Sequence, residues 1–532
     1  MKEGIEEKND QNLTDFFSLL LKVDNRLRKE GDIFHVTASK LYNYLQCSHR
    51  VWRDAHGPQD EKSLDPNPFV EMLWNRGVQY EKQTLQGWEN ALDLSQGSYS
   101  ERFNKTINAM KDGIPLIYQG LLEYKNLRGI PDFLKLMPDG FYAPLDVKSG
   151  MGREGISEDE EENEGGGTLK ATYAVQLALY IDVLQRLGFE HRFKGYIYDI
   201  LGDMVEYDLT QPRGKRNKES WWDYYQKTFT QVEALINNQI QNDPALSSAC
   251  SLCPWYESCT KWIKETDDMT GVFYLGRANR DRIKEELGVF NIEDLKNIDV
   301  DVLLEEKKKD KEFLKGIGEK MLQHFKQRSY ILKDVKKPVL YESIKFPQVT
   351  YELFFDIEDD PTQEFVYLHG VYERSPQGER FVPFVAKGVN SQSEKEAWSE
   401  FWNYIRSLPE NDYVVYYYSH HEKTTYKRLQ RKYPDVVSME EVIDFYEQEN
   451  VIDLYKIVSQ KTDWPTASYG LKALAKYCGF TWRDKTPSGA LSIQWYNEYV
   501  KTGDEDILKR ILEYNEDDCK ATMVVKDKIA SL

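Results

Sequence analysis

The chain has 532 residues, 40% of them hydrophobic and 13% aromatic, which is too long for one hydrophobic core and too apolar for disorder, so two to four domains are expected. A formal net charge of −19 gives no general attraction for phosphate, and any nucleic-acid surface has to be a local basic groove on an acidic protein. The acidic start Met1-Lys2-Glu3-Gly4-Ile5-Glu6-Glu7 has no apolar signal-peptide core and no apolar run is long enough to span a bilayer, so a cytoplasmic protein without a membrane partner is expected.

Residues 1–32 read as a charged extension with an amphipathic piece from Phe16 to Arg28. A strand end at Val36, a Thr37 or Ser39 cap and a helix then lead to Cys47. Gly77-Val78-Gln79-Tyr80-Glu81 falls in a helical stretch and offers Glu81 as an acid. Gly129-Ile130-Pro131-Asp132 and Leu145-Asp146-Val147-Lys148 follow. As a strand, the second piece sets Asp146 and Lys148 on one face and Leu145 and Val147 on the other. Asp132 and Asp146 can hold a hard divalent cation, and Lys148 can lower the pKa of an attacking water or offset charge on phosphate. The Glu- and Gly-rich run Glu154 to Glu164 is expected as a surface loop. An apolar helix from Tyr173 to Leu187 carries Gln176 and Tyr180 four apart on one face.

In this order, the acid, Asp, Asp-x-Lys and Gln-x3-Tyr motifs resemble the RecB-like branch of the PD-(D/E)xK nucleases, including the iron-sulfur nucleases of CRISPR spacer acquisition. The resemblance implies a restriction-endonuclease-like α/β/α core. In it Glu81, Asp132, Asp146 and the carbonyl of Val147 bind metal, Lys148 is catalytic, and Gln176 and Tyr180 position substrate.

Cys47 stands far from Cys250-x2-Cys253-x5-Cys259. Disulfides are disfavoured in a reducing compartment, so four thiols argue for a metal or cluster. Zinc usually draws on two local pairs, which this one-plus-three spacing does not supply, and four thiolates suit a 4Fe-4S cluster; zinc in the same pocket is the alternative. The pattern is similar to that of the iron-sulfur RecB-like nucleases, which implies a mainly structural cluster, a helical staple across the domain.

Short helices separated by turns continue to Val335, among them a helical run from Ile283 to Leu304. Leu314-Lys315-Gly316-Ile317-Gly318-Glu319-Lys320 reads as a helix-hairpin-helix connector in which Gly316 and Gly318 let backbone approach a DNA phosphate without reading sequence. Lys307, Lys308 and Lys309 beside Glu305 and Glu306 read as a solvated loop. Residues 336–347 read as a linker.

Tyr351 to Glu358 is an apolar strand with Asp356 and Glu358 on one face, ended by a turn at Asp359-Asp360-Pro361. Phe365 to Tyr372 is expected as its antiparallel neighbour, and Tyr413 to Tyr418 as a further strand running into His420-His421-Glu422. His420 and His421 are expected in local hydrogen bonds, Asp453-Leu454 as a helix cap, and Cys478 and Cys519 as buried thiols. On a late helix, Tyr514 and Asp518 share a face. These motifs resemble the RNase H-like exonucleases of the DEDD type. The resemblance implies Asp356, Glu358 and Asp518 as ligands for two cations and Tyr514 as the group that orients water; the place usually held by a further Asp falls on Glu422.

The expected class is a multidomain α/β protein: an extension over 1–32, a RecB-like nuclease over 33–265, the connector over 266–335, the linker over 336–347 and an RNase H-like α/β domain over 348–532. The resemblance implies a nuclease dependent on Mg2+ or Mn2+ that hydrolyses DNA, single-stranded or from an end, with a helicase or a repair or defence protein as partner by family analogy. Two other classes stand beside it: a nucleic-acid-binding scaffold with one degenerate site, and an RNA-processing ribonuclease.

Overall fold

Thr37 accepts the Lys40 N–H and so caps helix α1 (Ala38–Gln46), which hands over at Cys47 to α2 (Ser48–His56). The computed structural model describes residues 34–64, 67–88, 90–154, 167–190, 192–214, 217–361, 363–486 and 488–532; the 1–32 extension and nearly all of the Glu154 to Glu164 run lie outside them. After α3 (Pro68–Gly87) comes a sheet whose six strands lie side by side in chain order: β1 (Leu92–Asp93), β2 (Leu116–Tyr118), β3 (Phe133–Leu136), β4 (Tyr142–Val147), β5 (Lys194–Tyr198) and β6 (Met204–Asp208). β2, β3 and β4 form an antiparallel meander, with Phe133 opposite Leu145. β4 and β5 run parallel, so the chain between them must cross over, and it does so through α4 (Ala171–Leu187). That helix is apolar almost all round, buries ten residues and stops where Gly188 turns left-handed at φ 82.

Alternation along β4 decides what each face meets. Phe133, Leu145 and Val147 face Tyr80, Leu85 and Trp88 from α3 and the turn after it. The other face belongs to a larger core with Ala174, Leu177, Ala178 and Ile181 of α4, backed by Tyr225 and Val232 of α5 (Trp221–Ile236). The result is a helix, sheet, helix sandwich.

The segment after α6 (Tyr256–Glu265) differs from the sequence expectation. The run from Ile283 to Leu304 is three helices: α7 (Gly276–Leu287) ends at left-handed Gly288, and the Asn291 and Asp299 side chains cap new starts at Ile292 and Val300. Lys307, Lys308 and Lys309 form the last turn of the helix Val300–Lys309 rather than a loop, where positive charge suits the helix dipole. Lys308 and Lys309 pair with Glu305 and Glu306, and Lys307 donates to the carbonyls of Phe313 and Leu314. With α8 (Glu319–Tyr330) these helices enclose a core of their own, including Ile283, Leu295, Leu314 and Phe325. Buried arginines fasten it at both ends. Arg280 reaches Asp268 and the Pro244 carbonyl, and Arg328 donates to Asp463 at 2.7 Å. Residues 336–347 are also tied down, because Val339–Leu340 pairs with Thr462–Asp463.

A second sheet follows: β7 (Tyr351–Asp360), β8 (Phe365–Ser375), β9 (Gly378–Val385), β10 (Tyr413–Tyr417) and β11 (Val451–Asp453), in the order β9-β8-β7-β10-β11. The first three are antiparallel, and β10 and β11 run parallel to β7. β7 does not turn at Asp359; a register shift between Glu358 and Asp359 lets it continue through Asp360. On one face, α9 (Ser391–Ser407) and α10 (His421–Lys432) pack Trp398, Phe401 and Tyr426 against Phe355. On the other lie α11 (Leu471–Tyr477), α12 (Gly489–Thr502) and α13 (Glu505–Ala530). Helix α3 of the first sandwich joins this core: Met72 is buried in it, α3 packs on α12, and Arg76 forks onto both oxygens of Asp360. Among the described residues, no helix is long and apolar enough to cross a membrane.

Candidate functional site

In the first sandwich the acids come from three elements. Asp146 is on β4, Asp132 is just before β3, and Glu81 is near the end of α3. Asp132 accepts the Val147 N–H at 2.8 Å, and its own N–H donates to Asp146 at 3.2 Å. Lys148 donates to the other Asp146 oxygen at 2.9 Å. Two residues that the motifs do not include complete the contacts. Gln119 donates to Glu81 at 2.8 Å and to Asp132 at 3.4 Å, and the Tyr118 hydroxyl donates to Glu81 at 2.9 Å. Gln119 reaches both acids from a left-handed backbone at φ 54.

Burial, and then the Asp146 charge, push the Asp132 carboxyl well above the usual carboxylate range. Burial pulls the Lys148 ammonium down, but Asp146 and Asp132 outweigh it and leave it above its ordinary value. Lys148 is therefore a cation at neutral pH. From α4, Gln176 presents a buried side-chain oxygen with no hydrogen-bond partner among the described residues. Tyr180 donates to the Ile130 carbonyl at 3.5 Å and lies against Gly129, where an added Cβ would come 2.5 Å from its ring.

In the second sheet the acids are closer. Asp356, Glu358 and Asp518 each bring an oxygen within 4.8 Å of the others, the one such group of metal-ligating side chains among the described residues. Asn515 donates to Asp356 at 2.8 Å and to Glu358 at 3.4 Å; it fits because Gly370 has no Cβ, which would meet the Asn515 oxygen at 1.6 Å. Trp482 donates to Asp518 at 2.7 Å, Tyr367 donates to Glu358 at 3.3 Å, and Lys472 donates to the Tyr514 hydroxyl at 2.8 Å. Burial and the Asp518 charge raise Glu358 to about 8 and put Asp356 well above its ordinary value. Burial likewise raises Asp518, and raises Tyr514 so far that it stays a phenol. Glu422, in the first turn of α10, stands outside the group of three. It is 3% exposed, burial raises it to about 7, and one of its oxygens has no partner among the described residues. Crowded, buried acids with an orphaned oxygen fit a site for divalent cations, which would compensate the charge that burial disfavours.

The neighbouring polar groups have local roles. His421 hydrogen-bonds Asp359 at 3.0 Å, and Asp453 accepts the Lys456 N–H at 3.2 Å to cap the helix Leu454–Lys461. Cys519 is buried and donates to the Gly370 carbonyl, whereas Cys478 is only half-buried.

Cys47, Cys250, Cys253 and Cys259 line one cavity with Trp255 and Arg50, although the first is about 200 residues from the rest. Burial pushes the Cys259 thiol up to about 12 and also raises Cys253, with the other thiols adding to it. Gly316 is left-handed at φ 88, and Gly318 starts α8 without a side-chain cap.

Two domain matches suggest a nuclease. A PD-(D/E)XK nuclease superfamily model matches residues 16–260, and an RNase H superfamily model, RNase_H_2, matches residues 353–530, so a domain of each superfamily is found in the chain. No curated protein and no solved structure matches it.

Proposed function

We propose that the chain is a metal-dependent nuclease that hydrolyses phosphodiester bonds of DNA, acting on single strands or from ends. The observation that carries the reading is the meeting of Asp132, Asp146 and Glu81 with a lysine held as a cation. Mg2+ or Mn2+ would be held there by Glu81, Asp132, Asp146 and the Val147 carbonyl, and in the second centre by Asp356, Glu358, Glu422 and Asp518. Such cations supply an activated water and offset charge on the leaving oxygen. Lys148, which donates to Asp146, offsets the charge that grows on phosphate. Gln176 and Tyr180 position the strand, and the unpartnered Gln176 oxygen is free to accept from a nucleotide or a water. Tyr514 stays a phenol and orients a water.

The four cysteines hold a 4Fe-4S cluster with a mainly structural part; what supports this is one cavity shared by four thiols from two distant stretches. Gly316 and Gly318 bring backbone to a DNA phosphate. Anaerobically purified protein is then brown, and Cys253→Ala loses the colour; a colourless, zinc-loaded wild type would overturn the iron reading.

The deciding experiment is cleavage of end-labelled single-stranded DNA and RNA with Mn2+ by wild type, Lys148→Ala and Asp356→Ala. DNA cleavage lost in Lys148→Ala alone makes the first centre the nuclease and leaves the second a binding module. Loss in Asp356→Ala alone moves the chemistry to the second centre. Preference for RNA overturns the DNA reading.

A further inference from the structure

Each acidic centre has one lysine beside it, and the motifs account only for Lys148. The other is Lys472, from the first turn of α11, an element that supplies none of the acids. Its ammonium donates to the Tyr514 hydroxyl at 2.8 Å and stands 5.0 Å from the centre of the Tyr514 ring.

We propose that Lys472 is a positioning residue of the second centre, acting through Tyr514. The inference rests on reading this centre as hydrolytic. A phenol has one proton to give. An ammonium at its oxygen polarises the O–H and fixes its direction, so Tyr514 becomes a stronger and better-aimed donor. Tyr514 lies four residues before Asp518 on α13, so Lys472 meets that helix on the side that carries the acid.

Removing the ammonium should slow turnover and spare substrate binding, whereas a lysine that only supports packing would lower the thermal midpoint as well.

The test uses the full chain with Asp146→Asn and Lys148→Ala, which silences the first centre. Into that background go Lys472→Met, Lys472→Arg and Tyr514→Phe. The readouts are Mn2+ affinity by calorimetric titration, kcat and KM on single-stranded DNA, and the thermal midpoint.

Lys472→Met should still bind Mn2+, because Lys472 is not among the ligands. Its kcat should fall by about tenfold or more with KM within about twofold, the pattern of an interaction made only in the transition state. Lys472→Arg should recover most of the turnover. Lys472→Met should add little to Tyr514→Phe, because both remove the same interaction. Loss of Mn2+ binding in Lys472→Met with a lowered midpoint, or an unchanged kcat, overturns the proposal. If the background protein cleaves nothing although it binds Mn2+, it is the hydrolytic reading that fails, and the role of Lys472 falls with it.

Discussion

The first centre spreads its acids over a helix, a loop and a strand, and answers them with side chains: Gln119, Tyr118 and Lys148 all donate to them. The second draws two acids from one strand and a third from α13, close enough for their oxygens to share one ion. Among the described residues, Asn515, Trp482 and Tyr367 donate to those three acids, and one oxygen of nearby Glu422 has no partner. Acids that are hydrogen-bonded in place are organised before any cation arrives. Acids that are crowded and buried wait for one, and raised proton affinities mark Asp356, Glu358 and Asp518 there as they mark Asp132 in the first centre.

The largest effect should separate the centres by function. Lys148→Met should cut cleavage at the first centre by about 100- to 1,000-fold, the scale of losing a preorganised charge beside a reacting group. Measured in an Asp356→Ala background, a loss under tenfold would make Lys148 a surface charge.

A matched pair of glycine substitutions sharpens the contrast. Gly129→Ala drives a methyl into the Tyr180 ring, and Gly370→Ala drives one into the Asn515 amide. Each should cost about 1–3 kcal/mol in denaturant unfolding, the usual penalty for overpacking, and each should impair only its own centre. Equal damage to both centres would show that the substitutions act through global unfolding.

The next contrast is with pH in the metal-free protein. Folding raises Glu358 from 4.5 to about 8 and Glu422 from 4.5 to about 7. An acid raised by folding favours the protonated folded state, so its contribution is fully present below the unfolded value and is lost as pH rises through the folded one. With chelator present, the thermal midpoint should fall between about pH 5 and about pH 9, Mn2+ should reverse the fall, and Glu422→Gln should flatten part of it. A midpoint that rises with pH would contradict the crowding.

The last effect concerns a group outside both centres. His369 is fully buried and bonded to Tyr426, and burial lowers it to about 3. The unfolded chain takes up a proton near 6.5 and the folded one does not, so stability falls as pH drops from 6.5 towards 3. His369→Gln should remove that acid sensitivity, read as a smaller drop in midpoint between about pH 6 and about pH 4.

How much of this could be read from residues depended on whether the signal was local. Strand period placed Asp146 opposite Val147, and helix period placed Tyr514 with Asp518, because backbone geometry alone sets those relations. Gln119 carries no such mark: it reaches two acids through a left-handed backbone that its residue type does not announce. Asn515 lies between Tyr514 and Asp518 but off the face they share, since one step along a helix turns a side chain by about 100°. Both faces count here because α13 is buried widely, with Tyr514, Asn515, Asp518 and Cys519 all inside. Lys472 was unreadable for another reason, as nothing near it in sequence is acidic and the fold alone brings it to Tyr514. The break at Gly288, by contrast, was present in the sequence as a helix-stop glycine followed by the Asn291 cap.

Helix α3 has a practical meaning for anyone who divides the chain to study its halves. A fragment begun after the linker would lose the Arg76 cation that answers Asp360 two residues past Glu358, and would bare the apolar seat of Met72. A fragment ended before it would carry that methionine and arginine on an open surface, on the same helix that bears Glu81. Neither cut is clean. The useful dissection is by point substitution in the intact chain, and a truncated half that proves inert says little about the chemistry of the centre it contains.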